Sequence, residues 1–133
     1  IREWAGNNLQ VRETYSCMST NQLTALAKSD LFTIGGHTST HPALAYHAKQ
    51  KQRDEITSNK QFLECIAGKA IDLFAYPSGN YNVDTVDVLK ELGFKGSFTT
   101  HSGSNYNRED AYRLKRLQVT NRDGSSFSRL ISQ

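Results

Sequence analysis

The residues best equipped for chemistry are His37 and His41, in the segment Gly36-His37-Thr38-Ser39-Thr40-His41-Pro42. A His-x-x-x-His spacing puts both imidazoles on one side of a helical turn, near enough to share one divalent ion. Thr38, Ser39 and Thr40 are small enough to turn tightly without covering such a site. Pro42 disfavours helical geometry at His41 and so limits the turn. The plainer reading is two surface histidines beside a turn, because a zinc site takes at least three protein ligands. Two histidines alone make half a site. His47 offers either a third ligand or a solvated residue at the head of the next helix. His101 either approaches the same place or sits in a polar loop.

A second candidate is Phe74-Ala75-Tyr76-Pro77-Ser78-Gly79-Asn80-Tyr81. Pro77 fixes φ, and Gly79 permits a turn that can present a backbone N–H to a developing oxyanion. Pro-Ser-Gly-Asn is equally an ordinary turn. Tyr76 and Tyr81 can stack on sugar rings or simply pack. With Pro77 and Thr100 they form the candidate substrate-binding set.

These residues need elements to position them. Ser19-Thr20-Asn21-Gln22 has the form of a capping box, followed by Leu23, Leu26 and Ala27 at helical spacing. Residues 31–35 form a short apolar run into two glycines, which predicts a buried strand. Residues 49–69 predict a helix with Ile56, Phe62, Leu63 and Ile66 on its apolar side and Gly68 as its stop. Residues 71–76 predict a strand, and Asn82 caps a helix bearing Val86, Leu89 and Leu92 up to Gly93. Strands over 95–100 and 113–119 and a last helix from Ser125 or Ser126 complete the pattern. Strand–helix alternation predicts an α/β domain with a parallel sheet. In such sheets ligands gather where the strands' C-terminal ends meet their loops, here the loops from Gly36, Pro77, Thr100 and Thr120.

The 133 residues suit one domain or part of one. No apolar run reaches the roughly 18–20 residues of a membrane helix. The net charge of +3, with 16 scattered Lys and Arg, forms no basic stripe, which argues against nucleic acid. Cys17 and Cys65 pair with each other or remain as buried free thiols. Residues 1–6 read as the end of a helix capped by Gly6, so further chain is expected before Ile1.

Gly35-Gly36-His37-Thr38-Ser39-Thr40-His41-Pro42-Ala43-Leu44 resembles the second motif of the polysaccharide deacetylases of NodB-homology type, carbohydrate esterase family 4. Phe74-Ala75-Tyr76-Pro77-Ser78-Gly79 resembles that family's third motif, and later stretches, including Arg113-Leu114-Lys115-Arg116-Leu117, are also similar. The resemblance implies a distorted (β/α) barrel with mainly parallel strands and a divalent metal, usually zinc, held by Asp-His-His. It implies a hydrolase of carbon–nitrogen bonds that removes acetyl groups, chiefly N-acetyl, from a carbohydrate at the cell envelope or outside the cell. His37 and His41 would be the metal ligands, with the Ser78 N–H as oxyanion donor.

The family's first motif, a strand ending in paired Asp, supplies the third ligand and the general base. Nothing upstream of His37 resembles it, and Asp30 precedes its strand at the wrong end. The family's later His has no clear equivalent, Ser78 replaces a usual aromatic, and Ala75 stands where many members have Arg. The expectation is therefore that 1–133 is the C-terminal part of a deacetylase catalytic domain. It should bind metal weakly, show little activity and self-associate through open strand edges. The alternative is a non-catalytic glycan-binding or interaction domain derived from the same fold.

Overall fold

The computed structural model describes residues 16–106, 109–121 and 123–131. Helix α1, Thr20–Ala27, starts at Ser19, whose hydroxyl accepts from Gln22 N–H while the Gln22 side chain accepts from Ser19 N–H. This reciprocal cap is the one expected from the sequence. Helix α2, Lys49–Ala67, ends at Gly68 in the left-handed conformation (φ 64°). Strand β1, Leu73–Ala75, leads into a 3-10 turn at Pro77–Gly79. Helix α3, Val83–Glu91, is capped by Asn82, and β2 follows at Gly96–Ser102. Strand β3, Leu114–Arg116, precedes α4, Gly124–Ile131, which Asp123 caps through Ser126 N–H.

The strands form a parallel sheet in the order β1-β2-β3, with Leu73 opposite Gly96 and Phe98 opposite Leu114. Alternation in the pleat sends Phe74, Ser97 and Thr99 to one face and Leu73, Ala75 and Phe98 to the other. The first face is buried under the helices. Its core joins Leu44, Ile56, Leu63, Ile71, Phe74, Tyr76, Val88, Leu89 and Phe94. Phe74 stands edge-to-face against both Tyr76 and Phe94. The second face is only half covered, and a groove of ≈ 270 Å³ opens along it between Gly36, His37, Ala75 and Phe98. Parallel sheets are normally covered on both sides, and among the described residues this face is not.

Two expectations need correction. Residues 31–35 form no strand: one parallel bridge joins Gly36 to Phe74, and Leu31 and Phe32 are 88% and 51% exposed. The segment lies beside β1, but among the described residues nothing pairs with its outer edge, so the ladder stops at one rung. Cys17 and Cys65 are both free and both exposed, neither bridged nor buried. The expected helix end over 1–6 lies outside the described residues. Among those residues, no helix is long and apolar enough to cross a membrane.

Candidate active site

The His loop leaves the sheet at Gly36, which is buried beside β1: its N–H donates to Leu73 O (2.8 Å), and Ala75 N–H donates to its carbonyl (2.9 Å). A Cβ at this position would meet the Phe74 ring at 3.0 Å, so the close approach favours glycine. His37 is therefore delivered to the end of β1. Its Nδ1 lies 2.7 Å from Ala75 O, and its backbone N–H donates to Asn59 Oδ1 (3.0 Å). A carbonyl can only accept, so Nδ1 carries the proton and Nε2 keeps its lone pair for a ligand. The His41 ring centroid is 4.9 Å away, with the rings inclined at 69°. Both side chains are exposed.

The turn between them is strained and tightly held. Thr38 (φ 63°) and His41 (φ 58°) occupy the left-handed region, at about 1–2 kcal/mol each. Thr38 is buried, and its hydroxyl accepts from His41 N–H (3.1 Å). The opposing contribution comes from Glu55 on α2, only 4% exposed. Its Oε2 accepts from Ser39 N–H (3.2 Å) and Thr40 N–H (2.9 Å), and its Oε1 from the Thr40 hydroxyl and Lys51 Nζ (both 2.9 Å). Burial disfavours the charged carboxylate, but the Lys51 ammonium and the Thr40 hydroxyl and amide outweigh it. They hold the Glu55 pKa down at about 2.

The second loop lies beside the first. Pro77 is buried, and Ser78 takes φ 54°, the third left-handed non-glycine. Ser78 N–H has no hydrogen-bond partner among the described residues, as an oxyanion donor requires. Gly79 (φ 67°) lies so close to Thr100 that a Cβ there would fall 2.1 Å from its Oγ1. Thr100, exposed within β2, is thereby tied to the same place, and Tyr81 is half-buried.

Tyr76 is not available to a substrate. It is 0% exposed and stacks on Tyr81 (centroids 4.2 Å apart); its hydroxyl accepts from Ser97 and donates to Tyr112 O (2.9 Å). Burial raises its pKa to about 12, although the Ser97 hydrogen bond pulls the other way. It shares the parity of Phe74 along the strand, and that face is the core. Buried Pro77 likewise shapes the loop rather than offering a contact surface.

His47 is exposed and closes the Leu44–Tyr46 turn; His101 lies exposed in β2. Among the described residues, no group of three or more His, Cys, Asp and Glu could hold a metal. His37 and His41 nonetheless suit a divalent cation, with one tautomer fixed and both rings open to solvent. As ligands they would make up two of a set, not a complete one.

A parallel α/β sheet thus carries a paired-His loop and a Pro-Ser-Gly loop with an open amide at its strand ends. The chain belongs to the polysaccharide deacetylase family, whose model matches residues 1–97. Its fold is similar to that of a polysaccharide deacetylase from Bacillus cereus (TM-score 0.77, 23% identity, covering 90% of this chain and 38% of that one). It is also similar to the Streptococcus pyogenes deacetylase PplD, solved in complex with acetate (TM-score 0.74, 23% identity, 80% and 47%). A third likeness is to a pseudoenzyme of carbohydrate esterase family 4 from Bacillus anthracis (TM-score 0.55, 19% identity, 59% and 27%). The chain spans less than half the length of each. No curated protein sequence matches it.

Proposed function

We propose that this chain carries the histidine-bearing part of a metal-dependent deacetylase site acting on N-acetyl groups of a carbohydrate. The observation that carries the reading is the His37 Nδ1 hydrogen bond to Ala75 O, at the strand end whose loop also presents Ser78 N–H. His37 and His41 would hold a divalent cation, for which zinc suits imidazole ligands. Such a cation supplies Lewis acidity and lowers the pKa of a water.

The residues of the chain act on the substrate around that point. Ser78 N–H donates to the acetyl oxygen as negative charge gathers on it. Thr100 and Tyr81 contact the sugar. Water adds to the acetyl carbon, the C–N bond breaks, the proton passes to the amine, and acetate leaves. The resemblance of the two loops to the family's second and third motifs supports reading residues 1–133 as the C-terminal part of the catalytic domain. A paired-Asp segment would then supply the remaining ligand and the base.

Acetate release from a chito-oligosaccharide in the presence of zinc is the test. Slow release is expected from this chain, falling at least about 100-fold in His37→Ala together with zinc binding. Release that is unchanged in His37→Ala overturns the proposal.

A further inference from the structure

Resting on that reading of the two loops as one site, we propose that Asn80 and Asn82 are positioning residues that clamp the His loop to the Ser78 loop through Ala45. The Leu44–Tyr46 turn follows directly on His41 and Pro42, and Leu44 is fully buried. Both backbone groups of Ala45 are taken by side chains from the other loop. Its N–H donates to Asn80 Oδ1 at 2.7 Å, and its carbonyl accepts from Asn82 Nδ2 at 3.3 Å. Two asparagines thus do for this segment what a neighbouring strand would do for a ladder. Fully buried Gln52 extends the clamp, because its Nε2 donates to His47 O (2.8 Å) and to Asn82 Oδ1 (3.4 Å).

Helix capping does not account for these contacts. Of the Asn82 side chain the α3 cap uses only Oδ1, which accepts from Thr85 N–H (3.0 Å), and an aspartate would cap as well. The amide nitrogen of Asn82 is needed only by Ala45 O. Asn80 closes the Pro77–Gly79 turn with its backbone N–H alone; what Ala45 N–H needs from its side chain is an acceptor oxygen. His41 lies on one side of this clamp and Ser78 on the other. Releasing it lets the imidazole and the oxyanion donor drift apart, and a misplacement of about 1 Å can cost about 100-fold in rate.

One chemical change at two neighbouring positions gives the test. Asn80→Asp keeps the acceptor and is expected to hold kcat for acetate release within about threefold of the parent. Asn82→Asp keeps the α3 cap but sets a carboxylate oxygen against Ala45 O. It is expected to lower kcat about tenfold or more, with KM and Tm nearly unchanged. Asn80→Leu should match Asn82→Asp in kcat and speed hydrogen exchange at the Ala45 amide. An Asn82→Asp kcat within twofold of the parent, or kcat losses that track Tm across the set, overturns the proposal. If the parent releases no acetate, the functional reading fails separately. Exchange then decides the clamp: faster Ala45 exchange in Asn80→Leu supports it, and unchanged protection overturns it.

Discussion

Replacing Glu55 by Gln tests how the two histidines are held. The carboxylate offers acceptors on both oxygens and faces only donors: the Ser39 and Thr40 amides, the Thr40 hydroxyl and Lys51 Nζ. A glutamine must turn its NH2 towards one pair of those donors, so half of the contacts become repulsive. The size of the loss follows from the carboxyl's pKa, held near 2 against an ordinary 4.5. That difference corresponds to about 3 kcal/mol between the protonated and ionised forms. Loss of charge-assisted hydrogen bonds from a residue 4% exposed gives a cost of the same order.

Because the folded-state pKa is depressed, the contribution is complete above about pH 4.5 and disappears as pH falls through about 2. Urea denaturation of the parent and Glu55→Gln chains should therefore differ by about 2–3 kcal/mol at pH 7. The gap should narrow steadily below pH 4.5. Exchange at the Thr40 amide should rise in the variant under the same conditions. A gap below about 0.5 kcal/mol at pH 7, or one that does not change with pH, refutes the reasoning.

Gly79→Ala combines a φ of 67° with a Cβ 2.1 Å from Thr100 Oγ1, and should cost about 2–4 kcal/mol in urea denaturation. Gly68→Ala, at φ 64° in open space, should cost only about 1 kcal/mol, and equal costs would refute the close approach. Tyr76→Phe should lower stability by about 1–2 kcal/mol and leave KM for an acetylated oligosaccharide unchanged, whereas Tyr81→Ala should raise KM. A raised KM in Tyr76→Phe would place that ring in the site after all.

What was legible in the sequence is what is settled by a few adjacent residues. The Ser19–Gln22 box, the Asn82 cap and the stops at Gly68 and Gly93 all lie where local rules put them. The apolar run over 31–35 misled because an apolar pattern cannot say whether a partner strand exists. Tyr76 misled through its type, although its parity with Phe74 already pointed to the core. Glu55 and Asn59 escaped notice in a helix of Lys, Gln and Arg that reads as solvent-facing. Yet Gln52, Glu55, Ile56, Asn59 and Leu63 recur at helical spacing, and that stripe faces the core and the His loop. Contacts across 15 to 37 residues, such as Thr40 to Glu55 and Ala45 to Asn82, carry no local signal.

The distribution of strain bears on whether the two loops form a functional site or merely a surface. Among the described residues, the non-glycine residues with positive φ are Thr38, His41 and Ser78. All three lie in the two loops at the strand ends. Each left-handed residue costs about 1–2 kcal/mol, and glycine at the same place would remove most of that cost. A positive φ is hardest at a threonine, where β-branching crowds the backbone. The conformation is held by a buried carboxylate aimed at the turn between the histidines. It holds the turn that keeps the two rings 4.9 Å apart. Such held strain marks the two loops as a functional site, a class that takes in ligand clamps as well as reaction centres.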